Sequence, residues 1–175
     1  MMSARTTTLV LCCMDFWLAI KLLLLLITAN GAPVLARYLL GSRWGRPVDA
    51  GATFSDGQPL FGPSKTWRGV IAALLVTPVI AWLLFLPPGV GLLFAAAAML
   101  GDLLSSFIKR RLRIPSSSMA LGLDQIPESL LPLLAVRAQF YLEPLDIVQL
   151  TLAFMALELA LSQLLYHLRI RKQPY

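Results

Sequence analysis

Residues Gly101 to Leu112 read GDLLSSFIKRRL and follow the apolar run GLLFAAAAML. On a helix, Asp102, Ser105, Ser106, Lys109 and Arg113 stand at i, i+3, i+4, i+7 and i+11, so an acid, two hydroxyls and two cations share one face. Carboxylates and hydroxyls are hard oxygen donors suited to Mg²⁺, while lysine and arginine suit phosphates. A juxtamembrane basic cluster that snorkels to lipid phosphates accounts for Lys109, Arg110, Arg111 and Arg113. It does not account for Asp102, which lies about two turns deeper, where a carboxylate is costly and marks function by default.

Two further stretches carry the same mixture. The segment RPVDAGATFSDGQPLFGPSKTWRG offers Asp49, Asp56, Ser64, Lys65, Thr66 and Arg68 among glycines that permit tight backbone turns. Its GPSKTWRG end is not a Walker motif, because the GxxxxGK[ST] spacing is missing and no strand precedes it. As a loop presenting cations, hydroxyls and backbone amides to a phosphate it is well composed. The third stretch, GLDQIPES, supplies Asp124, Gln125 and Glu128. Converging, the three would make a metal-bridged phosphoryl or nucleotidyl transfer site. A hydrolase triad is unsupported, since the one histidine, His167, falls at the end of the last apolar segment.

The elements that must position these groups are set by solvent. The chain has 175 residues, 58% hydrophobic and only 14% charged, with a mean hydropathy of +0.74. A soluble domain carries nearer a quarter of its residues charged, and a chain this short cannot cover so much apolar surface. The expected class is an all-α integral membrane protein with about five spanning helices, each needing about 20 mostly apolar residues. Phe16 to Leu40 is the first, with a kink or break expected at Asn30, Gly31 and Pro33. Val70 to Leu86, a segment from Gly89 into the GD motif, Ile126 to Leu142, and Leu145 to Leu168 follow. For Arg137 and Glu158, inside the last two, an interhelical pair is expected.

Cations orient the chain. Arg37, Arg43, Arg46, Lys65 and Arg68, then Lys109 to Arg113, then Arg169, Arg171 and Lys172 fall on one side of a five-helix layout, whereas the turns PPG and EPLD hold none. The N-terminus is therefore expected outside and the active-site loops, about 41–69 and 109–125, in the cytoplasm of a multi-pass inner (plasma) membrane protein. Residues 1–15 read as an extension, 16–168 as one transmembrane domain, and 169–175 as a basic tail. Cys12 and Cys13 match neither a zinc spacing nor a disulfide framework. The sequence pI of about 9.8 reflects loops facing anionic lipid or substrate, and no aromatic-interleaved patch points to nucleic acid.

As an ordered set, DGQPLFGPSKTWRG, GDLLSSFIKRRL and LDQIPES resemble the CDP-archaeol synthase family, in a bacterial-type version, and more distantly the CDP-diacylglycerol synthases. The resemblance runs from about Asn30 to Glu128 and includes NGAPVL near the first helix break. It implies a Mg²⁺-dependent cytidylyltransferase that converts CTP and a lipid phosphate into a CDP-lipid and pyrophosphate within membrane lipids, with a homodimer admitted. It implies phosphate-facing cations Lys65, Arg68, Lys109 and Arg110, and substrate contacts from Thr66, Ser106 and Gln125, to which the residue pattern itself adds Ser64, Ser105 and Arg111. It implies metal ligands Asp102 and Asp124, with Asp56 beside them, and the residue pattern adds Glu128. Where the family has a second acid in DQxD, this chain reads Ile126, Pro127, Glu128, which puts Glu128 one position later.

Two other classes use the same composition. A lipid-binding scaffold would need only the basic loops, and a small anion transporter would draw on Asn30, Arg137 and Glu158 at depth. One-sided polar loops and the lack of an internal repeat count against the transporter.

Overall fold

The computed structural model describes residues 15–41, 43–115, 120 and 122–167, with side chains as far as residue 163. Residues 1–14 of the N-terminal extension, with Cys12 and Cys13, the basic tail and the His167 side chain lie outside the described residues. Among the described residues five helices follow one another: α1 (Phe16–Leu40), α2 (Trp67–Leu83), α3 (Pro88–Arg111), α4 (Gln125–Phe140) and α5 (Pro144–His167). The protein is an all-α integral membrane protein. By length and hydropathy α1, α3 and the Pro144–Gln163 part of α5 can each cross a membrane, and α2 is apolar but shorter, at 17 residues.

α1 begins on Asp15, whose carboxylate accepts from the Trp17 amide at 3.1 Å, and then runs without interruption through Asn30, Gly31 and Pro33. The break expected there does not occur. The polar side chains are instead absorbed by the helix: Thr28 Oγ1 donates to the Leu24 carbonyl at 2.7 Å and Asn30 Nδ2 to the Leu26 carbonyl at 3.0 Å, so neither meets lipid unpaired. α2 starts three residues before the apolar run because Thr66 serves as its N-cap, and it ends three residues early in the turn that precedes Pro87 and Pro88.

The core sits where Leu22, Leu25 and Leu26 of α1 meet Phe94 of α3, Leu133 and Val136 of α4, and Leu150 and Phe154 of α5. Leucines such as Leu75, Leu92, Leu100 and Leu152 face outward, as the lipid side of a bundle requires. Exposed Phe16, Trp17, Trp82, Phe85 and Tyr141 gather at one end, and Tyr38, Trp44 and Trp67 at the other, forming two aromatic belts.

Small residues set the helix crossings. A Cβ on Gly91 would stand 2.7 Å from Pro78 Cα, so α2 and α3 meet backbone to backbone there. Gly101 does the same for α3 against Pro127 and Glu128 of α4. Arg137 does not pair with Glu158; its Nε donates to the Leu142 carbonyl at 3.1 Å, closing the C-terminus of α4 around Tyr141 in the left-handed region. The reason is register. α4 and α5 run antiparallel, so Glu158, four turns into α5, lies level with the start of α4, where it faces Glu128, while Arg137 is near the far end.

Candidate active site

The three chemical stretches of the sequence meet at one end of the bundle. The loop between α1 and α2, the C-terminal turns of α3 and the N-terminus of α4 are joined by ion pairs: Lys65 with Asp102, and Lys109 Nζ with Asp124 Oδ1 at 2.7 Å. Glu128, buried at the first turn of α4, lies within hydrogen-bonding reach of Asp102. Lys65 therefore looks into three carboxylates, those of Asp102, Glu128 and Asp124. Burial alone would lower its pKa, but the three acids together overcome that and hold it above the ordinary lysine value of 10.5.

Local folding places each group. Gly101 lets α3 lie directly on the Pro127–Glu128 backbone, which carries Asp102 to Glu128. Ser105 is fully buried and donates to the Asp102 carbonyl at 3.0 Å, and Ser106 is buried on the same face. Asp124 accepts from the Ala120 amide through its second oxygen at 3.1 Å, leaving the first for Lys109. Gln125, completely buried, receives the Gly122 amide at 2.8 Å and keeps an unpartnered amide nitrogen. Arg110 is buried at the end of α3 with an unpartnered Nε.

The expected face of α3 stops short of Arg113. The helix ends at Arg111; Arg113 has φ +57°, and the Ile114 amide returns to the Lys109 carbonyl at 2.9 Å while the Arg113 amide returns to Arg110 at 3.1 Å. This is a Schellman closure with arginine where glycine is usual, and it turns Arg113 out, exposed.

Four of the predicted groups are engaged in holding the loop. Thr66 caps α2, with the Gly69 amide at 3.4 Å. Arg68 is buried and its Nη1 donates to the carbonyls of Gly41 and Arg43, at 2.8 and 2.7 Å, which moors the loop to the C-terminus of α1. Asp56 lies 3.1 Å from Arg111, and Arg111 donates to the Pro59 carbonyl at 2.6 Å. Ser64 is half-buried beside Lys65. Asp49, outside the expected site set, organises the loop by accepting the amides of Phe61, Gly62 and Gly51 at 3.0, 2.9 and 3.0 Å. Burial would raise its pKa; the three amides outweigh that and lower it. The legible signal for this staple was its company, an acid followed by glycines at 51, 57 and 62.

Among the described residues no three His, Cys, Asp or Glu side chains converge to hold a metal ion as they stand, two of the acids being taken up by Lys65 and Lys109. The donor set nonetheless fits a divalent cation: three carboxylates, all hard oxygen ligands, neutralised by ammonium groups that a bound phosphate would draw off. Chemically the arrangement can exchange carboxylate–ammonium pairs for ammonium–phosphate and carboxylate–cation pairs.

Comparison with known proteins gives the family. The model of the CarS-like family, described as CDP-archaeol synthase, matches residues 14–87 and 88–175. A CDP-archaeol synthase of Pyrobaculum arsenaticum is 36% identical over 168 residues, covering 93% of this chain and 100% of its own length. One from Hyperthermus butylicus is 37% identical over 156 residues, covering 85% and 90%. A solved structure described as an intramembrane enzyme for archaeal membrane lipids biosynthesis superposes with a TM-score of 0.73 at 32% identity, covering 83% of this chain and 93% of that one.

Proposed function

This chain belongs to the CDP-archaeol synthase family of membrane enzymes, and from that premise we propose that it transfers the cytidylyl group of CTP to a lipid phosphate, giving a CDP-lipid and pyrophosphate. The observation that carries the reading is two partly buried ion pairs, Lys65 with Asp102 and Lys109 with Asp124, beside buried Glu128 and Arg110 at one end of the bundle. A lipid-binding scaffold has no use for acids at this depth, whereas a site for a triphosphate and a cation needs both signs of charge.

The new bond joins a lipid-phosphate oxygen to the α-phosphorus of CTP; the oxygen bridging the α- and β-phosphorus leaves on pyrophosphate with the electron pair of the broken bond. No covalent enzyme intermediate is required, so the protein's work is positioning and charge stabilisation. Lys65 and Lys109 move their ammonium groups from carboxylates to phosphate oxygens, and Arg110, with a free Nε, meets the second anion. Asp102, Asp124 and Glu128 would hold a Mg²⁺ ion, which would neutralise part of the triphosphate's charge. Gln125 turns its free amide to the substrate, and buried Ser105 and Ser106 line the α3 face on which it rests. Arg68 and Thr66 act on the loop that carries Lys65, and Ser64 sits next to that lysine for a phosphate contact. With the cations of loops 41–69 and 109–125 at this end, the site faces the cytoplasm across the plasma membrane.

The test is purified protein in detergent with Mg²⁺, labelled CTP, and lipid phosphates bearing ether or ester chains, beside the Asp124→Asn variant. Lipid-soluble cytidine product from the wild type, lost in the variant and on chelation, is the expected result. No product from folded wild-type protein with any lipid phosphate would overturn the assignment.

A further inference from the structure

Arg111 sits in an arrangement that a phosphate ligand would have to dismantle. Its guanidinium carbon lies 4.8 Å from the ring centres of both Phe54 and Phe107, which themselves meet edge to face at 5.6 Å and 89°. Nη1 faces Asp56 Oδ1 at 3.1 Å, and Nη2 donates to the carbonyls of Pro59 at 2.6 Å and Gln58 at 3.3 Å. Phe54, Asp56, Gln58 and Pro59 belong to a small turn within the α1–α2 loop, closed by the Phe54 amide on the Gln58 carbonyl at 2.8 Å and the Leu60 amide on Ala52 at 3.0 Å.

Helix geometry then separates this contact from the site. Asp102, Ser106 and Lys109 share a face, but Phe107 and Arg111 are five and nine residues beyond Asp102, so at about 100° per residue they point to roughly the opposite side of α3. The same loop meets the Asp102 face through Lys65. The loop thus straddles the end of α3, with Lys65 on one side and the 52–60 turn on the other.

We propose that Arg111 is a positioning residue, the clasp that fastens the α1–α2 loop across α3 and thereby fixes Lys65 at the acids, with no contact to substrate. Its planar fork and two aromatic faces explain why arginine and not lysine stands there. The activity arm of the test rests on cytidylyl transfer as proposed above; the structural arm rests on geometry alone.

The experiment compares Arg111→Lys, Arg111→Ala, Phe54→Ala and the Arg111→Ala/Phe54→Ala double variant. Amide hydrogen exchange over residues 52–60 and the kcat and KM for CTP are followed in each. The clasp predicts that Arg111→Lys fails to rescue, that uncharged Phe54→Ala reproduces Arg111→Ala, and that the double variant is no worse than either single. Exchange over 52–60 rises, and kcat falls roughly tenfold to a hundredfold, the scale of an ångström-sized misplacement. A direct phosphate contact predicts the reverse, and would overturn the proposal: Arg111→Lys near wild type, Phe54→Ala silent, and exchange over 52–60 unmoved in Arg111→Ala. Should the wild type make no product, exchange still decides, since faster exchange at 52–60 in Arg111→Ala and Phe54→Ala upholds the clasp and unchanged exchange removes it.

Discussion

Gly101 of α3 lies directly against Pro127 of α4, so close that a Cβ on Gly101 would run into the Pro127 carbonyl and stand 2.9 Å from Glu128 Cα. Backbone cannot yield as a side chain can, and one methyl must push the helices apart at the level of Asp102 and Glu128. Gly101→Ala should therefore abolish product formation and lower the melting temperature in detergent, by about 1–3 kcal/mol of stability. Gly89→Ala, where the added carbon meets open space, is the matched control and should leave both unchanged. Equal effects at the two positions would contradict the close-crossing account.

The Lys109–Asp124 pair separates stability from chemistry. Both side chains are nearly buried, 8% and 14% exposed, so removing one partner deprives the other of its counter-ion at 2.7 Å. Lys109→Met or Asp124→Leu alone should cost about 3–5 kcal/mol, while the double variant should recover most of that loss. Activity should be absent in all three, because the acid and the cation are needed singly for cation and phosphate. A double variant that recovers activity along with stability would make the pair structural only.

Asp49 gives the loop an acid limit. Its pKa is held below the ordinary 3.8 by amides that outweigh burial, so its contribution is fully present above that value and is lost as pH falls through the lowered one. Amides of Phe61 and Gly62 should stay protected at neutral pH and open on acidification below about pH 4. Asp49→Asn should remove that pH dependence and speed their exchange at neutral pH by roughly tenfold or more, the loss of a hydrogen bond to a charged group. Exchange measured from pH 3 to 7 in both proteins decides it.

Sequence patterning made the bundle legible to within about three residues at the helix ends, because spans are dictated by length and hydropathy; Phe16–Leu40 matches in its bounds, though the break expected inside it is absent. The candidate site was legible as three polar stretches, since a lipid-facing basic cluster accounts for Lys109 but not for an acid as deep as Asp102, and Asp124 and Glu128 repeat the mixture elsewhere. Which cation serves which purpose was not. Lys65, Arg68 and Arg111 read alike in one dimension, yet they reach an acid, two helix-terminal carbonyls and an aromatic sandwich. Apart from Phe107, one turn before Arg111, those partners lie at least 25 residues away along the chain, beyond what local spacing encodes. The Arg137–Glu158 expectation failed for the same reason, the antiparallel register of α4 and α5 being invisible in composition.

Glu128 stands one position later than the second acid of the DQxD pattern and lies against Asp102, so on the function proposed above it would serve as the third ligand to the cation. The step from i+3 to i+4 relative to Asp124 shifts a side chain by about 100° around a helix, and both positions face the same side as the first turn's other ligand. Product formation should then depend on Mg²⁺, vanish on chelation and return on its re-addition. Glu128→Gln, which keeps size and hydrogen bonding but loses a charged ligand, should raise the Mg²⁺ concentration for half-maximal activity roughly tenfold to a hundredfold. Ile126→Ala, on an exposed apolar neighbour, should not. A titration of Mg²⁺ at saturating CTP in the three proteins checks this. An unchanged requirement in Glu128→Gln would mean that Asp102 and Asp124 hold the cation without it, leaving Glu128 to repel Asp102 and keep Lys65 charged between them.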